Sequence, residues 1–94
     1  MSIEELNLFI VMGKTEEAWL AFRLLIIEGL QRGCVTEMFV CELANILGKK
    51  VESVIVKDSE VILRFVGDKF YYRFTDSNQE VIDLYPKDLE FTPI

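Results

Sequence analysis

The sequence predicts a single α+β domain in which two or three N-terminal helices pack on a three- to four-stranded antiparallel β-meander. Three observations carry this expectation. Up to Gly48 the apolar residues recur at helical spacing between short polar turns, whereas after it β-branched and aromatic residues alternate with a period of two. Of the 94 residues, 51% are hydrophobic and 12% aromatic, which supports a packed interior and argues against intrinsic disorder. A chain of this length fits one core. The expected organisation is a helical half (1–48), a meander (49–85) and a C-terminal tail (86–94).

Taken in order, Ser2 followed by Glu5 has the form of a capping box and predicts a short first helix over 3–12. Thr15 is the expected N-cap of a second helix, with Glu16 and Glu17 in its first turn where they suit the positive end of the dipole. Arg32 and Gly33 mark its end. Thr36 with Glu37 begins a third helix that runs through Leu47, and Gly48 supplies the left-handed stop. "VESVIVK" (51–57), "EVILRFV" (60–66) and "KFYYRFT" (69–75) are predicted strands, separated by polar or glycine-containing turns. "EVIDLY" (80–85) is an expected fourth strand ended by Pro86, and Leu89, Phe91 and Ile94 of the tail are expected to dock or pair weakly.

On the second helix, Ala18, Trp19, Phe22, Leu25, Ile26 and Leu30 share one face, which is the predicted core face. Leu20, Leu24 and Ile27 form a second apolar ridge in the otherwise polar arc. An isolated two-layer domain does not require that ridge. Its cover is either the first helix or the tail, or else a homodimer or partner seam. In the strands, Val61, Leu63 and Phe65, with Phe70, Tyr72 and Phe74, form a fully apolar face; Ile62, Arg64, Tyr71 and Arg73 belong to a mixed one.

The net charge of −6 is unevenly distributed. Residues 1–48 carry seven acids and three bases, residues 49–75 four acids and six bases, and residues 76–94 five acids and one base. A mildly basic middle therefore lies between two acidic ends. No apolar run approaches the ~18 residues of a membrane-spanning helix, and no basic region precedes an apolar N-terminal stretch. With only Cys34 and Cys41, the expectation is a cytoplasmic protein with buried free thiols rather than a disulfide scaffold.

Several stretches resemble functional motifs. Gly13-Lys14-Thr15 after "LFIVM" imitates the end of a phosphate-binding loop, but the earlier glycine that motif requires is replaced by Leu8, so an interhelix turn is the expectation. In "ELANILGKKVESV", Ala44 followed by Gly48 resembles a helix-turn-helix, and "EVILRFVGDKFYYRF" then resembles the wing of the winged-helix family. That resemblance implies a recognition helix within "KVESVIVKDS" and a nucleic-acid patch of Lys49, Lys50, Lys57, Lys69 and Arg73. Against it, four of the six residues 51–56 are β-branched, which predicts a strand. Tyr71, Tyr72 and Arg73 on one strand offer base stacking or plain core packing.

The chain has no histidine, hence neither the commonest neutral-pH general base nor the commonest metal ligand, and two cysteines do not make a zinc site. No enzymatic activity, metal or cofactor is expected. The leading expectation is a small acidic module that binds another protein, occluding a basic, nucleic-acid-binding surface in the manner of immunity, antitoxin or anti-defence proteins. Glu16, Glu17 and Glu28 with Asp83, Asp88 and Glu90 would supply the attraction, and Leu20, Leu24 and Ile27 the apolar contact, shared with a partner or a second copy. The alternatives are a winged-helix-like DNA-binding regulator and a structural subunit of a larger assembly.

Overall fold

The computed structural model describes residues 1–82. Three helices, α1 (Ile3–Val11), α2 (Thr15–Arg32) and α3 (Glu37–Ile46), precede four strands, β1 (Val51–Lys57), β2 (Glu60–Phe65), β3 (Tyr71–Thr75) and β4 (Gln79–Ile82). The strands form one antiparallel sheet in the order β1-β2-β3-β4, so every sheet connection is a hairpin. This is the α+β arrangement of N-terminal helices and β-meander that the change of periodicity at Gly48 predicts. Residues 83–85 of the expected fourth strand, and the tail with Leu89, Phe91 and Ile94, lie outside the described residues.

Two of the three expected caps form. The Ser2 hydroxyl accepts from the Glu5 amide at 3.2 Å, and the Thr36 hydroxyl accepts from the Phe39 amide at 3.1 Å, each satisfying a donor that the first helical turn leaves free. Thr15 instead lies inside α2, and Lys14, which makes no side-chain capping bond, holds the cap position. The tight α1–α2 turn explains the shift. Lys14 donates to the Phe9 carbonyl and Thr15 to the Gly13 carbonyl, so the backbone meets its own needs there.

Gly33 ends α2 with φ +68°, and its amide and that of Cys34 close onto Leu30 and Gly29 carbonyls. Gly29 is required for a different reason. A Cβ placed there would stand 2.6 Å from Cγ2 of Val35, so the chain entering α3 lies directly against the α2 backbone.

The core lies between the helices and one face of the sheet. Phe22 is fully buried, 6.2 Å from Phe65 and 6.1 Å from Phe74 between ring centres, while Trp19 stacks on Phe22 at 5.3 Å and meets Tyr72 at 5.1 Å. Offset and edge-on aromatic pairs of this kind add about 0.5–1.5 kcal/mol each beyond their area. Around them pack Leu6, Ala18, Leu25, Ile26, Leu30, Val40, Leu43, Val54, Val61 and Leu63. Of the predicted core face of α2, only Trp19 is half-buried rather than buried.

Strand β3 begins at Tyr71 rather than at residue 69, because Val66 and Asp68 donate to the Lys50 and Phe65 carbonyls and the chain turns through residues 66–70 before pairing resumes. The face of the sheet away from the helices is less open than its mixed composition predicts. Ile55 and Ile62, partners across β1 and β2, are buried there. Arg73 lies opposite Ile62 and Arg64 two residues along the same face, and long arginine stems shield apolar neighbours in this way. Ser53, also buried on this face, has a hydroxyl with no hydrogen-bond partner among the described residues.

Candidate functional site

Antiparallel packing of α1 on α2 leaves more apolar surface than two helices can bury against one sheet. On α1, Leu6 points inward, while Leu8, Val11 and the cap residue Met12 are exposed, Val11 at 84%. On α2 the expected ridge is split. Ile27 is 7% exposed and belongs to the core cluster, whereas Leu20 and Leu24 are 47% and 39% exposed. Ile27 is therefore a structural side chain and not a candidate for partner contact. Leu8, Val11 and Met12, which the ridge pattern alone did not single out, join Leu20 and Leu24 as exposed apolar side chains of the same hairpin. The signal was present in "LNLFIVM", which is apolar on both sides of a helix.

The acids of this hairpin divide similarly. Glu4, Glu16 and Glu17 are exposed and make no ion pair among the described residues. Glu28 is half-buried, with one carboxylate oxygen 3.4 Å from the N-terminal amine and 3.9 Å from Arg32, so its charge is compensated within the chain. Asp83, Asp88 and Glu90 lie outside the described residues. Among the described residues of the hairpin the available acids are thus Glu16 and Glu17, joined by Glu4, while the Glu5 carboxylate accepts from the Ser2 hydroxyl at 3.3 Å.

The basic patch implied by the winged-helix resemblance is not assembled in one place. Lys49 and Lys50 precede β1, Lys57 lies at its other end, and strand geometry of about 3.3 Å per residue separates those ends by roughly 20 Å. Lys69 lies in the β2–β3 connection. Arg73 is engaged on the sheet by Glu60 and by Glu80 at 3.5 Å. The recognition helix is also lacking, since residues 51–57 are strand β1. Gly13-Lys14-Thr15 joins two helices instead of following a strand, which removes the setting a phosphate-binding loop requires.

Tyr72 packs in the aromatic core and Tyr71 lies on the opposite face, under the Arg64 guanidinium at 5.6 Å from its ring centre, so the two do not form a joint stacking platform. Burial, assisted by Asp68, pushes the Tyr72 phenol up. Burial and then Glu37 push the Cys41 thiol up, which keeps it protonated and unreactive near neutral pH. Contrary to the expectation of buried thiols, Cys34 is exposed and Cys41 only half-buried; the Cys34 thiol donates to the Gly29 carbonyl at 3.6 Å. Among the described residues no cluster of side chains suits a metal ion, and no helix is long and apolar enough to cross a membrane. No known protein family, characterised protein or solved structure matches the chain.

Proposed function

We propose that this protein is a partner-binding module that uses the α1–α2 hairpin to occlude a basic surface of another protein, as an inhibitor or adaptor does. One observation carries the reading: on a single hairpin, exposed Leu8, Val11, Met12, Leu20 and Leu24 occur with Glu4, Glu16 and Glu17, acids that no cation of the described chain compensates. Apolar side chains supply holding energy when they are desolvated together, and rim charges steer encounter and select the sign of the partner. An acid already paired within the chain does neither efficiently. That makes Glu16 and Glu17 the recognition charges and leaves Glu28 a structural role.

The test compares capture from nuclease-treated lysate by the wild-type chain, by Glu16→Lys/Glu17→Lys and by Leu20→Ser/Leu24→Ser, with folding of each verified by circular dichroism. A stoichiometric protein partner is expected with the wild type, released by a salt step, bound about tenfold more slowly by the charge-reversed chain and lost by the serine variant. Equal capture by all three chains, or capture only of nuclease-sensitive nucleic acid, overturns the reading.

A further inference from the structure

We propose that the open edge of β1, with the groove between it and α3, binds an extended acidic peptide segment by strand addition. This surface is separate from the α1–α2 hairpin and does not depend on its role. Among the described residues β1 is the terminal strand of the sheet, so one side of its backbone has no strand partner. Lys57 and Glu60 close a two-residue turn, which sets the mutually hydrogen-bonded pairs at Lys57 with Glu60, Ile55 with Ile62 and Ser53 with Arg64. Alternation then aims the amides and carbonyls of Val54 and Val56 at the open edge.

Helix α3 packs beside this strand, leaving a groove of about 340 Å³ lined by Met38 and Cys41 on the helix and by Lys49, Lys50 and Val51 at the strand start. Met38 is 74% exposed, and the protonated Cys41 thiol acts as a small apolar wall. The groove lies at the Val51 end of the strand, and an added strand sends alternate side chains to opposite faces, so a peptide whose backbone pairs with Val54 and Val56 would place alternate residues of the end running past Val51 into the groove.

Charge selects the peptide. Lys49, Lys50 and Lys57 are exposed and, among the described residues, none is in an ion pair; Glu52, the acid of β1, is held by Arg64 at 3.0 Å. Glu42 lines the groove as its one acid. Lysines on an edge strand also discourage edge-to-edge aggregation. The apolar groove beside the backbone is what distinguishes this edge from one that is only guarded.

The experiment titrates the full chain with three labelled octapeptides: alternating valine and glutamate, alternating valine and lysine, and the acidic peptide with alternate amides N-methylated. Fluorescence anisotropy and amide chemical shifts are recorded. Saturable binding of the acidic peptide alone is expected, with the largest shifts at Val54 and Val56. Lys49→Glu/Lys50→Glu and Met38→Glu, each with an unchanged melting temperature, should weaken it about tenfold or more. Comparable binding of the lysine or N-methylated peptide, or shifts confined to α1 and α2, overturns the proposal. So do Val54 and Val56 resonances that move with protein concentration without peptide, because a second copy would then occupy the edge.

Discussion

The α1–α2 hairpin and the outer face of the sheet carry similar residue types but treat charge in opposite ways. On the sheet, Glu52 meets Arg64, and Arg73 lies between Glu60 and Glu80, so acid and base are joined across strands and cover Ile62. On the hairpin, which also exposes leucine, valine and methionine, Glu4, Glu16 and Glu17 have no ion-pair partner among the described residues. Paired surface charges mainly solvate and shield the fold, whereas unpaired ones remain available to a second molecule. The contrast is what motivates placing the proposed recognition surface on helices whose inner face is otherwise ordinary core.

The largest effect expected on this contrast comes from removing what the two regions share. Phe22→Ala empties the aromatic junction of α2 with β2 and β3 and should cost about 3–5 kcal/mol in urea denaturation. Next, Ile27→Ala should cost about 2–4 kcal/mol, while Leu20→Ser and Leu24→Ser should each stay within about 0.5 kcal/mol of wild type. Equal losses at all three positions would remove the distinction between a buried and an available part of the ridge.

Gly29→Ala should destabilise by about 1–3 kcal/mol despite alanine's better helix propensity, because the added methyl meets Val35; a gain in melting temperature would show that this junction yields. On the sheet, Ser53→Ala deletes a buried hydroxyl that has no partner among the described residues and should raise stability by up to about 1 kcal/mol. The smallest effect sharpens the charge comparison directly. Glu60→Gln should lower stability by about 0.5–1 kcal/mol at low salt and less at high salt, whereas Glu16→Gln should leave stability unchanged at both.

Element order was legible because period and punctuation agree: Ser2, Thr36, Gly33 and Gly48 all stand where helices begin or end. Thr15 misled because a sequence shows a capable side chain but not a turn that already supplies its own backbone partners. The ridge was half legible. Periodicity states that Leu20, Leu24 and Ile27 share an arc, yet only tertiary packing separates Ile27, inside the core, from the two leucines outside it. The basic residues after Gly48 are close in sequence, but a meander distributes them between its two ends and opposite faces. Burial of Ile62 likewise depends on arginines brought beside it by strand register, which no single-strand pattern encodes.

The aromatic junction also sets a schedule for synthesis. Phe22 is translated about fifty residues before Phe74, its partner on β3. At about 5–20 residues per second, the inner face of α2 emerges roughly 3–10 s ahead of the strand that covers it. During that interval both the face of α2 that β2 and β3 later cover and the exposed Leu20 and Leu24 on its other side are open to solvent. Completion of β3 ends that exposure on the inner face alone.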